Sequence, residues 1–141
     1  TGTFRVGYYC TGSMKPFLDC GDEGTYLSDP DTGEIKVGDV ISFPRSEGPA
    51  WGKPLGECTF PQEAGSDIRH ISHRVVSVEE RSGIMFYKTK GDANVEDDWC
   101  LVPHDVVKGV LVESWLVTVF PGTQPEKTKS ITLSSTGWSR G

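Results

Sequence analysis

Apolar and polar residues tend to alternate along this chain, and no segment sustains the three-to-four-residue period of a helix. Alternation puts successive side chains on opposite faces of a pleated strand, so it predicts half-buried β-structure. The clearest runs are residues 71–78 (ISHRVVSV) and 84–89 (IMFYKT), with a hairpin turn predicted over residues 79–83. Residues 5–10 (RVGYYC) and 35–43 (IKVGDVISF) predict two earlier strands. Residues 99–102 read as a short apolar return and 106–120 as a closing strand pair. A single helical turn is expected over residues 103–106.

Between these runs the chain is rich in punctuating residues. Residues 18–34 carry Gly21, Gly24, Asp29-Pro30 and Asp31-Thr32-Gly33 and read as an inserted loop. Residues 44–67, with Trp51 and Cys58, read as a second one. Loops of this length inside a compact domain are commonly functional decorations. Beyond Pro121 the chain is polar until Trp138. With 17 glycines and 9 prolines in 141 residues, many short strands and turns are expected around one modest core. There is no internal repeat and no heptad. The fold expectation is mostly β: an antiparallel sheet with long loop insertions.

Charge narrows the partners. The formal net charge is −6, and lysine and arginine nowhere form a cluster, which argues against nucleic acid. No stretch reaches the roughly 18 uninterrupted apolar residues of a membrane helix. The nearest, residues 106–120, is broken by Lys108, Glu113 and Ser114. Four cysteines without a C-x-x-C pair, and only three histidines, give little support to a zinc site. No metal is expected. An even cysteine count is compatible with two disulfides in an oxidising compartment, with three pairings open, and equally with four buried free thiols.

Ser13 follows Gly12 and precedes Pro16, a context that can hold a hydroxyl outward on a turn with main-chain N–H groups beside it. Such a nucleophile needs a base, and the ordinary histidine pKa of roughly 6.5 suits that role. His70 and His73 are placed on one predicted strand and are expected to share a face, with His73 set deeper. His104, beside Pro103, is expected to be solvated. The base needs an orienting acid, and Asp92 and Asp98 flank the turn after the hairpin. Each of these residues also has an ordinary reading: a Gly-Ser turn, a surface imidazole, a solvated acidic loop. Alone they point to serine-hydrolase chemistry and no further.

Together, the segments resemble the type I signal peptidase family, and within it the endoplasmic-reticulum and archaeal type. The boxes that carry the resemblance are Thr11-Gly12-Ser13-Met14-Lys15-Pro16, Lys36-Val37-Gly38-Asp39-Val40-Ile41 and His73-Arg74-Val75-Val76. They are followed by Lys88-Thr89-Lys90-Gly91-Asp92-Ala93-Asn94 with Asp97-Asp98 behind it. The last are Leu101-Val102-Pro103 and Val106-Val107-Lys108-Gly109. The order is kept from about Gly7 to Val112. The resemblance implies that Ser13 is the nucleophile. Histidine at position 73, where the bacterial subtype has lysine, implies the Ser/His subtype with acids at Asp92 and Asp98. Asp98 is favoured as the direct partner of His73, with Asp92 shaping the turn. Thr11 stands where the family usually has a serine thought to help form the oxyanion hole. The Ser13 main-chain N–H would be the other donor. Two departures are plain: both loops are longer than in short members, and the Gly-Asp-Asn-Asn turn reads Gly91-Asp92-Ala93-Asn94.

The resemblance implies an antiparallel catalytic domain of the signal-peptidase type over residues 1–121 and a polar C-terminal extension over 122–141. It also implies a membrane anchor N-terminal to Thr1. The expected activity is serine endopeptidase cleavage of signal peptides from secretory preproteins after small residues, on the extracytoplasmic or lumenal face. The expected partners are those signal peptides and, through the anchor, the lipid bilayer; no cofactor is expected. One rival is a specialised relative with a single dedicated substrate. The other is a secreted β-domain that binds a partner without chemistry, separable by whether Ser13 and His73 approach hydrogen-bonding distance. The favoured disulfides are Cys10–Cys20 around the nucleophile turn and Cys58–Cys100 beside the acidic turn, because each pins a loop near the proposed site.

Overall fold

The structure, a computed structural model, describes residues 2–7, 13–15, 21–45, 48–49, 56–60, 70–98, 100–118, 126–134 and 137–140. Among the described residues eleven strands run in chain order: β1 (Thr3–Gly7), β2 (Glu23–Ser28), β3 (Val40–Pro44), β4 (Gly48–Pro49), β5 (Cys58–Thr59), β6 (His70–Arg81), β7 (Ile84–Lys90), β8 (Leu101–Pro103), β9 (Gly109–Thr118), β10 (Glu126–Ser134) and β11 (Gly137–Arg140). Seven of them form one antiparallel path in the order β1-β2-β9-β3-β6-β7-β8. The β10–β11 hairpin joins the same sheet through β9, and β4 pairs with β5 in a separate small ladder. Among the described residues there is no α-helix; two single 3₁₀ turns cover Thr32–Glu34 and His104–Val106.

The central strands are buried on both faces, and alternation sorts their side chains between two apolar clusters. Ile41, Phe43, Val75, Tyr87, Val102 and Val110 lie in the larger one, while Val40 and Leu111 pack with Met14 and Tyr26 in the smaller. Adjacent residues Val40 and Ile41 therefore serve opposite faces, as do Val110 and Leu111. At Gly109 the backbone comes up against Phe4 and Tyr26. A Cβ there would meet the Phe4 ring at 2.7 Å, and that ring stacks on Tyr26 with centroids 5.4 Å apart.

Several expectations need correction. The region 18–34, expected as an inserted loop, contains β2, whose Tyr26 is fully buried and whose hydroxyl meets Ser72 Oγ at 2.6 Å. The turn expected over residues 79–83 is only Ser82-Gly83, with φ of 50° and 80°. Positive φ at both positions makes the tight turn whose twist matches a two-residue hairpin, and the strands run up to Arg81↔Ile84. The pair of strands expected over 106–120 is one strand, β9. It pairs β2 on one side and, on the other, β3 near its start and β10 further along. The strand predicted from residue 35 begins at Val40. Residues 36–39 form a turn instead, in which the Lys36 N–H donates to Asp39 Oδ2 at 2.8 Å. Residues 126–134, in the polar C-terminal stretch, pair with β9 and continue the sheet.

Candidate active site

The site forms where β6, the turn at Ser13 and the segment after β7 converge. On β6, His73 stands directly opposite Ile41 of β3, and direct partners in an antiparallel pair share a face. Val75, two residues on, shares it too, so His73 belongs to the face that carries the larger core cluster. Its residue is 8% exposed. The Phe43 ring meets the imidazole nearly edge-on, at 81° and a centroid distance of 6.5 Å, which restrains how the ring can turn. The shared face expected for His70 and His73 is overturned. Three positions apart in a register without a bulge, they point to opposite sides, and His70 is exposed.

The two ring nitrogens of His73 have different partners. Nδ1 lies 2.6 Å from Asp98 Oδ2, and Nε2 lies 3.2 Å from Ser13 Oγ. An ionised carboxylate only accepts hydrogen bonds, so in the neutral imidazole Nδ1 carries the proton toward Asp98. Nε2 is then left as the acceptor facing the Ser13 hydroxyl. Ser13, His73 and Asp98 stand in one hydrogen-bonded line, although they lie far apart in the chain.

Asp98 is held at two points by the strand that precedes it. Its N–H donates to the Thr89 carbonyl at 2.7 Å, and the Thr89 hydroxyl donates to Asp98 Oδ2 at 2.6 Å. Ser13 is held from the same segment. Its carbonyl accepts the Ala93 N–H at 2.8 Å, and Gly91 comes so close to that carbonyl that no side chain fits. The next residue, Met14, is 5% exposed and buried in the smaller cluster, with its sulfur 3.4 Å from the Asp92 N–H. An apolar plug on one side and a backbone bond on the other thus fix the Ser13 turn.

Asp92 does not meet His73. It takes a bidentate pair from Arg74, Nε to Oδ1 at 2.9 Å and Nη2 to Oδ2 at 2.8 Å, while Arg74 Nη1 donates to the Gly38 carbonyl at 2.6 Å. Arg74, next to His73, points to the other face of β6 and ties the 91–94 turn to the 36–39 turn. Asp39 in that second turn has its carboxyl pushed above its usual range by burial, against the lowering effect of the Lys36 N–H.

His104, expected to be solvated, is instead half-buried, with its Nδ1 2.7 Å from the hydroxyl of Tyr87. Burial pushes that phenol up to about 12, and which of the two groups donates depends on the imidazole tautomer. His104 takes no part in the Ser13 line. Cys58 and Cys100 form a disulfide, the pairing favoured for these two residues, and it ties β5 to the segment just after Asp98. Thr11, Cys10 and Cys20 lie outside the described residues.

Thr89 is the participant that sequence reasoning missed. It sits inside one of the quoted boxes, and the alternation Tyr87-Lys88-Thr89 already places it on the inward face beside Tyr87. Among the described residues no cluster of three or more His, Cys, Asp or Glu side chains can hold a metal. No helix there is long and apolar enough to cross a membrane. Compared with protein-family models, with curated proteins and with solved structures, this chain matches none.

Proposed function

We propose that this chain is the catalytic domain of a membrane-anchored serine endopeptidase that removes signal peptides from exported preproteins on the extracytoplasmic or lumenal side. The observation that carries the reading is the line Ser13 Oγ···Nε2 His73 Nδ1···Oδ2 Asp98, at 3.2 and 2.6 Å. A non-catalytic binding domain has no need of that contact. The box order beginning at the Ser13 turn supplies the substrate class.

The chemistry follows from the roles. Ser13 Oγ attacks the scissile carbonyl carbon as its proton passes to His73 Nε2, and Asp98 stabilises the resulting imidazolium. By the resemblance, the donors to the tetrahedral oxyanion are the Ser13 main-chain N–H and the Thr11 hydroxyl. His73 then gives the proton to the departing amine, leaving an acyl-enzyme. Water, deprotonated by the same imidazole, releases the carboxylate and restores Ser13. No cofactor enters any step.

The test is incubation of a preprotein with the domain in detergent or lipid, followed by mapping of the cut by mass spectrometry. Cleavage after a small residue by the wild type, lost in both Ser13→Ala and His73→Ala, is the expected result. Retention of cleavage in Ser13→Ala overturns the reading.

A further inference from the structure

We infer that Thr89 is a positioning residue of the same site, a fourth member that sets the orientation of Asp98 and through it the imidazole; this inference rests on the proposed serine-protease reading. Thr89 is wholly buried and stands directly opposite Val75, two residues from His73 on the same face. Its hydroxyl meets Asp98 Oδ2, the same oxygen that faces His73 Nδ1, both at 2.6 Å. A carboxylate cannot donate, so both contacts run toward it, one from the hydroxyl and one from the ring N–H. With the backbone bond from the Asp98 N–H to the Thr89 carbonyl, they leave the Asp98 carboxyl little room to turn. The carboxylate thus lies where it fixes both the tautomer and the plane of the imidazole, a dependence familiar where an outer partner orients a catalytic or ligating histidine.

Thr89 touches neither Ser13 nor the space above it by any contact described, so it acts through Asp98. A β-branched residue is stiff at χ1, which holds the hydroxyl aimed along one direction. Serine keeps the donor with looser aim. Valine keeps the shape and removes the donor.

The experiment compares Thr89→Val and Thr89→Ser with the wild type in two readouts. The first is the proton resonance of the His73 Nδ1–H in nitrogen-labelled protein, which needs no substrate. The second is preprotein cleavage, with kcat and KM separated. The expected result is that Thr89→Val moves the Nδ1–H resonance and lowers kcat by about 10–100-fold with KM little changed. Thr89→Ser recovers most of both. Thr89→Ala, which also lacks the hydroxyl, is the second variant should Thr89→Val fail to fold. A resonance unchanged in the folded hydroxyl-less variant overturns the role of Thr89, whatever the activity. A wild type that shows the hydrogen-bonded resonance but cleaves no preprotein counts instead against the proposed function and leaves the resonance comparison to decide on Thr89.

Discussion

The α-carbon of Gly91 lies against the main-chain carbonyl of Ser13: a Cβ built there would sit 2.6 Å from that oxygen and 2.7 Å from the Asn94 amide nitrogen. The amide can swing aside, but the carbonyl cannot without moving Ser13. The stretch from Thr89 to Asp98 thus controls both ends of the line through His73. It presses and hydrogen-bonds Ser13 from one end and presents Asp98 at the other.

Gly91→Ala is therefore expected to displace Ser13 and break its bond from Ala93. Overpacking of this kind costs about 1–3 kcal/mol of stability. A displacement near 1 Å lowers kcat by on the order of 100-fold. Thermal melts and cleavage kinetics on the same preparation check both. A fully active Gly91→Ala would mean that the nucleophile turn is positioned from elsewhere.

The two acids separate by their partners. Asp98→Asn presents an amide in place of the acceptor for Nδ1–H and favours the wrong imidazole tautomer, so kcat should fall on the order of 10³–10⁴-fold with the melting temperature little changed. Asp92→Asn instead leaves the Arg74 guanidinium, tied also to Gly38, without its carboxylate. Its expected effect is about 1–3 kcal/mol of stability, with a smaller loss of rate. Full activity in Asp98→Asn together with collapse of activity in Asp92→Asn would reverse the roles.

How far the chain disclosed this arrangement depends on the element. β6 and β7 were legible because each is rich in β-branched or aromatic residues and a turn signal separates them, and the Ser13, His73 and Asp98 assignments came with the box order. β2 was not. Its only strong apolar residues, Tyr26 and Leu27, are adjacent and flanked by Gly24 and Ser28, so no period shows; pairing with β1 and β9 makes it a strand. The hairpin turn was overcounted because Glu79, Glu80 and Arg81 look like loop, yet at the far end of a two-stranded ribbon charged side chains are solvated and cost little. Thr89 was hidden for a third reason. A buried threonine matters only once the partner of its hydroxyl is known, and the turn signal at residues 90–94 does not say that the chain returns to set Asp98 against Thr89.

Asp39 yields a prediction on pH. Burial raises its carboxyl above the ordinary 3.8, so the folded state holds the proton more tightly than the unfolded chain does. The sign follows by linkage: stability falls as pH rises through the window from the unfolded to the folded value, and the cost is fully present above the folded value. Asp39→Asn removes the charge while leaving an oxygen to accept the Lys36 N–H. The variant should therefore be more stable than wild type at neutral pH, with the difference shrinking as pH falls through the carboxylate range. Denaturant melts at about pH 7 and about pH 4 measure it. A difference that grows on acidification would show that the charged form is the favoured one.

The Cys58–Cys100 disulfide bears on both stability and the site. It spans a sequence separation of 42 residues, and both cysteines are buried against the larger core cluster. Around it the Leu101 N–H donates to the Gly56 carbonyl at 2.9 Å, so the 56–60 segment is stitched to the chain three residues beyond Asp98. Breaking the bridge frees that segment in the unfolded state and loosens its hold on the loop in the folded one. Replacing Cys58 and Cys100 together by alanine is expected to cost about 2–5 kcal/mol. Because Asp98 keeps its two bonds to Thr89, kcat should fall far less than in Asp98→Asn. Mass spectrometry of the unreduced protein, alkylated under denaturing conditions, gives the direct check. A peptide linking Cys58 to Cys100 is expected, and the same spectrum reads whether Cys10 and Cys20 are joined. Free, labelled thiols at both 58 and 100 would remove the bridge from the account. The 56–60 segment would then be held to β8 by the Gly56–Leu101 bond, the parallel Glu57↔Leu101 bridge and core packing.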